Sequence, residues 1–131
     1  MKLEVETEHG VYTVDIETEE VEGLEEGARL EPPELIPTGL PRVVATAAAG
    51  STLAAVVRTR PPLAVSYDAG RTWQRAGGGL PPGRALAIAA DEPDLVVYAA
   101  RNRLYVSRDG GRFWQALAPE LPEISAIGFG R

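Results

Sequence analysis

The sequence has no cysteine, and only one lysine, one histidine and one methionine. Without cysteine, neither a disulfide framework nor a thiolate metal site can form. The single histidine, His9, cannot build a His-rich metal site. It sits in a turn between two alternating segments, a place that suits a solvated residue better than a general base. No apolar run approaches bilayer length, so no membrane partner is expected. The opening MKLEVETEHG carries charges where a secretory leader needs an apolar run, and a cytoplasmic location follows as the expectation. There is no G-x-x-x-x-G-K-[ST] motif, and the glycine run 77–79 lacks the strand-loop-helix setting of a phosphate cradle. No metal and no cofactor are expected.

What is present is an ordinary globular composition. The 131 residues are 44% apolar, too many for a disordered chain and enough for one domain with a modest core. The formal charge of −6 hides an asymmetry. Residues 1–34 hold twelve acids against Lys2 and Arg29, whereas residues 35–131 hold seven acids against eleven arginines. Overall acidity argues against a nucleic-acid partner, which needs a basic footprint. The acidic part is read as a β-hairpin plus linker (1–34), preceding a repeat region (35–131) in one structural domain. LEVETE and VYTVDIE alternate apolar with polar residues, the period of a half-buried strand, around a His9-Gly10 turn. Residues 18–34 read as a linker with at most one short strand.

The repeat region is organised by self-similarity. SYDAGRTWQ at 66–74 matches SRDGGRFWQ at 107–115, an offset of 41 residues. Leu-Pro pairs recur at Leu40, Leu80 and Leu121, each followed by a short apolar run. A period of 40–45 residues holding four short strands is the pattern of a β-propeller blade. The expected strands lie near 42–49, 52–58, 62–67 and 72–76, then near 84–90, 95–100, 103–107 and 112–117. Residues 124–129 read as the first strand of a third, incomplete unit.

The two matched segments resemble the Asp-box, S-x-D-x-G-x-T-W. The first copy has Ser66, Asp68, Gly70, Thr72 and Trp73; the second has Ser107, Asp109, Gly111 and Trp114, with Phe113 in the Thr place. Such repeats occur in sialidases, xyloglucan-active glycosidases, sortilin-type receptors and photosystem II assembly factors. The resemblance implies an all-β fold of Asp-box propeller blades, two complete and one partial. It implies no particular activity, because fold does not determine function. In this motif Asp and Ser oxygens hold the turn, Gly supplies backbone freedom, and Trp packs against a neighbouring sheet. Both tryptophans are therefore expected in the core. A calcium-loop reading fails for want of the acidic ligands and terminal Glu.

No convergent acid–base set is visible, so an enzyme is not expected. A glycosidase needs two carboxylates facing one cleft. Asp91, Glu92 and Asp94 are the nearest candidates, but they read as turn residues on the Asp-box side of the sheets. Tyr98 and Tyr105 fall within strands and read as packing. The surface feature with binding chemistry is a pair of arginine steps, Arg58 with Arg60 and Arg101 with Arg103, at equivalent places after the second strand of each unit. Arg84 could join them. Guanidinium groups suit planar recognition of carboxylate or phosphate. The competing reading is solvated arginines, or arginines paired with the glutamates of residues 1–34.

The leading expectation is a non-catalytic binding or assembly module acting through protein–protein contacts. The alternative is an anion- or carbohydrate-binding module using the arginine face. The least favoured is a glycosidase relative with a site shared between subunits. Three blades cannot close a ring, whereas six can. A homo-oligomer is therefore expected: a dimer, if the N-terminal hairpin completes a third blade with residues 124–129 of its own or another chain. A trimer of two-blade units, leaving the hairpin as a separate arm, would also give six.

Overall fold

The computed structural model describes residues 1–130 and consists of strands and connections. Twelve strands build three four-stranded antiparallel sheets. The first holds β4 (Val43–Ala49), β5 (Thr52–Val57), β6 (Leu63–Ser66) and β7 (Gln74–Ala76). The second holds β8 (Ala85–Ala89), β9 (Glu92–Ala99), β10 (Arg103–Ser107) and β11 (Gln115–Glu120). In both, the strands follow one another as a meander, as the 41-residue repeat predicts. Glu92 and Asp94 lie inside β9 rather than in the turn before it.

The third sheet joins the two ends of the chain. Its order is β12 (Ile124–Phe129), β1 (Lys2–Thr7), β2 (Gly10–Asp15) and β3 (Glu20–Glu26). The pairing of β1 with β12 sets Leu3 opposite Phe129 and Val5 opposite Ile127. The N-terminal hairpin thus completes the third sheet with its own chain and is not a separate arm. The acidic stretch contributes a full seven-residue strand, exposed at every residue. Polar alternation hid it, since an edge strand with neither face buried needs no apolar period.

Strand residues alternate between faces, and this alternation assembles the core. Ala54, Val56, Leu63 and Val65 of the first sheet pack with Leu86, Ile88, Val96 and Tyr98 of the second. The other face of the second sheet, including Leu95, Val97, Leu104 and Val106, packs with Leu3, Val5, Val14, Ile16 and Ile124 of the third. The second sheet is therefore buried on both sides, which is why β8 and residues 95–99 of β9 read as continuous apolar runs. Small residues in the innermost strands let β4 and β12 approach β8 from either side.

The outward faces of the two end sheets differ. On the third sheet Lys2, Glu4 and Glu6 occupy alternate positions of β1, where β9 has apolar residues. On the first sheet the outward positions of β4, β5 and β6 are small, with Thr46 opposite Ala55, and Ala64 faces Arg75 of β7. The Ile36 amide donates to Thr46 Oγ1 (2.9 Å), so the connection between β3 and β4 passes over this face. Ala55 and Ala64 accordingly stay buried.

Candidate functional site

Two Ser-x-Asp-x-Gly turns close the same end of the first and second sheets. In the first, Ser66 Oγ donates to Asp68 (2.7 Å) and accepts the Gly70 amide (2.8 Å). Asp68 accepts the Thr72 amide (2.9 Å) and the Thr72 hydroxyl (2.5 Å). In the second, Ser107 Oγ donates to Asp109 (2.7 Å) and accepts the Gly111 amide (2.9 Å). Asp109 accepts the amides of Arg112 (3.1 Å) and Phe113 (3.0 Å). The carboxylates thus reach three and four residues on, further than a two-residue Asx-turn. These donors stabilise the charged form. Thr72 holds Asp68 down at about 2, and the Phe113 amide leads in lowering Asp109. Two carboxylates so committed to local donors are anions suited to closing turns.

The tryptophans part company. Trp114 is half-buried against the core between the first and second sheets. Its ring meets Tyr98 edge-on at 5.8 Å, and its Nε1 donates to the Gly111 carbonyl (2.9 Å). Trp73, at the equivalent position, belongs to neither core cluster. It is half-buried like Trp114, but the expectation that it packs against a neighbouring sheet is corrected, since neither core between sheets includes it. Phe113, replacing the Thr of the first copy, is 78% exposed and lines a cleft of 570 Å³ with Trp114, Ile16 and Arg108.

The larger cleft lies at the opposite end of the sheets. It encloses 980 Å³ between the β5–β6 connection and the β7–β8 connection. Pro61 and Pro62 form part of one wall, and Leu80, Pro81 and Pro82 part of the other. Arg58, Arg60 and Arg84 also line it. Arg75 braces the first connection, its Nη2 donating to Thr59 Oγ1 and to the Pro61 carbonyl (both 2.5 Å). Tyr98 braces the second, its buried hydroxyl donating to the Pro81 carbonyl (2.5 Å). Burial pushes the Tyr98 phenol pKa up, which keeps it a donor. Gly83 permits this approach, because a Cβ there would lie 2.4 Å from the tyrosine hydroxyl.

The five sequence-selected arginines do not form one array. Arg58 and Arg60 are exposed and make no ion pair among the described residues. Arg84 (3.0 Å) and Arg101 (3.4 Å) share Glu123, and Arg103 pairs with Glu120 (3.4 Å). The partners are these C-terminal acids rather than the glutamates of residues 1–34. Sequence reasoning passed over Tyr98 and Arg75 as site-builders. The available signal was that Tyr98 stands where the first repeat has Val57. Among the described residues no helix is long and apolar enough to cross a membrane, and no group of three or more His, Asp or Glu side chains could hold a metal ion.

Comparison with known proteins gives no match to a family model and no match to a curated protein. Among solved structures, the chain is similar to "YCF48 bound to D1 peptide", with a TM-score of 0.52 and 20% identity. The match covers 93% of this chain and 40% of that one. The fold is β-propeller-like. The three sheets are blades standing side by side in an arc, and the chain spans less than half the length of that neighbour. The larger cleft lies between the first and second blades, at the end away from the Ser-Asp turns.

Proposed function

We propose that this protein is a non-catalytic assembly module of Asp-box blades that binds a peptide segment of a partner protein in the cleft between its first and second blades. The carrying observation is the cleft itself. It is a 980 Å³ groove walled by two proline pairs, with Arg58 and Arg60 exposed along it and free of ion pairs among the described residues. Proline and leucine offer apolar contact to an extended chain, and the guanidiniums favour segments carrying carboxylates. YCF48, in the similar solved structure, is bound to a peptide, which is consistent with this reading.

The arc is further proposed to close into a six-bladed ring with a second copy. Each chain brings three sheets, so two copies use every strand, and two-fold assemblies are the commonest. The ends of the arc are oppositely charged. Residues 1–26 hold ten acids against Lys2, while residues 42–76 hold five arginines against Asp68. Opposite signs steer the first blade of one copy toward the third blade of the other.

A peptide array probed with the purified protein tests the binding reading. Binding to acid-containing peptides is expected to weaken with salt and to be lost in the Arg58→Gln/Arg60→Gln variant. Binding to a glycan array with no peptide bound would overturn it in favour of carbohydrate recognition.

A further inference from the structure

We propose that residues 1–30 form an exchangeable arm, and that two copies trade arms so that β1 of each pairs with β12 of the other. This rests on the ring-closure reading and specifies how the ring is joined.

The third blade is built from two pieces of chain, β1 to β3 and β12, and the first of these is joined to the rest of the molecule only through the segment between β3 and β4. That segment is tethered separately to the arm and to the first blade. On the arm side, the Gly27 amide donates to the His9 carbonyl (3.1 Å), Arg29 Nη1 to the Thr7 carbonyl (2.7 Å), and the Leu30 amide to Glu6 Oε1 (2.8 Å). Every one of these bonds lies within residues 1–30. On the other side, the Ile36 amide is held by Thr46. Between them, Glu31, Pro32, Pro33, Glu34 and Leu35 are all exposed and make no hydrogen bond among the described residues. Two adjacent prolines keep such a segment extended. The result is a stiff, solvated hinge between two internally bonded bodies.

Exchange sacrifices no contact. The arm meets the rest of the chain through β1 on β12, through Leu3, Val5, Val14 and Ile16 on the second blade, and through Glu19, which accepts the Ala118 amide (2.6 Å). A second copy offers the same atoms in the same places, the condition for strand exchange between protomers. Exchange also regularises the connections. The links from β7 to β8 and from β11 to β12 each join neighbouring blades. The link from β3 to β4 instead runs from the third blade to the first, past the open side of the arc. In an exchanged ring it too joins neighbouring blades.

The absence of cysteine makes the connectivity readable. Glu4 faces Gly128 in the β1–β12 register, and a Cβ at Gly128 would meet nothing within 4 Å. The Glu4→Cys/Gly128→Cys variant, oxidised with diamide, is expected to have a two-chain mass by light scattering and to run as a covalent two-chain species on a non-reducing denaturing gel. A two-chain native mass with only a single-chain band would overturn arm exchange and leave ring closure standing. A single-chain native mass would overturn both. The Glu6→Cys/Ala126→Cys pair, also opposed in the register, provides the second reading should the first variant lose its β-sheet circular dichroism. Disagreement between the two pairs counts against exchange.

Discussion

Replacing each tryptophan by alanine separates a repeat position from its tertiary setting. By sequence, Trp73 and Trp114 are equivalent. In the structure, Trp114 fills space between two blades, touches Tyr98 edge-on at 5.8 Å and donates one hydrogen bond to Gly111. Fully buried Trp→Ala changes cost about 3–5 kcal/mol. Half-burial lowers that figure, while the aromatic contact and the hydrogen bond each contribute about 1 kcal/mol. Trp114→Ala should therefore cost about 3 kcal/mol. Trp73 is equally half-buried but lies outside both core clusters and lacks the aromatic contact and the indole hydrogen bond, so its loss should cost about 1 kcal/mol. For a domain of this size the expected falls in melting temperature are about 10 °C and about 3 °C. Differential scanning calorimetry, run below the concentration at which copies associate, measures both. Equal losses would mean that Trp73 is as well packed as Trp114, and the account of a first-blade face covered by a connection rather than by a blade would be wrong.

Two further outcomes follow from the turns and the cleft. Gly83→Ala would place a Cβ 2.4 Å from the hydroxyl and ring of the fully buried Tyr98, so a loss of about 2–3 kcal/mol is expected in urea unfolding, and unchanged stability would contradict the close approach. Asp68 has its pKa held down at about 2, mainly by the Thr72 hydroxyl and amide, against an ordinary 3.8. A depressed folded-state pKa stabilises above the unfolded value, and that stabilisation is lost as pH falls through the folded value. The melting-temperature advantage of the wild type over Asp68→Asn should be full above about pH 4 and gone near about pH 2, and an advantage constant with pH would refute the charged turn.

The blades were legible because their signals are local and repeated. The 41-residue offset, the Ser-x-Asp-x-Gly turns and the apolar runs placed β4 to β12 to within a few residues, since each strand is defined by its own pattern and its own turn. The alternation of LEVETE and VYTVDIE similarly marked β1 and β2. β3 escaped, because an acidic edge strand buries neither face and carries no period. What the cleft contains was only partly readable. Arg58 and Arg60 could be picked from their spacing, but a sequence cannot say that Glu123 takes both Arg84 and Arg101, or that Tyr98 reaches across to the Pro81 carbonyl. Those contacts join residues 17 to 39 positions apart, and they exist only once the second blade stands between its neighbours. The sequence by itself determined the kind of sheet, the turn chemistry and the strands of the repeat. Tertiary structure alone decided that the chain's two ends share one blade and that equivalent tryptophans meet different surroundings. Strand pairing between distant segments, and the presence or absence of a neighbouring sheet, are properties of the assembled fold rather than of any local stretch of chain.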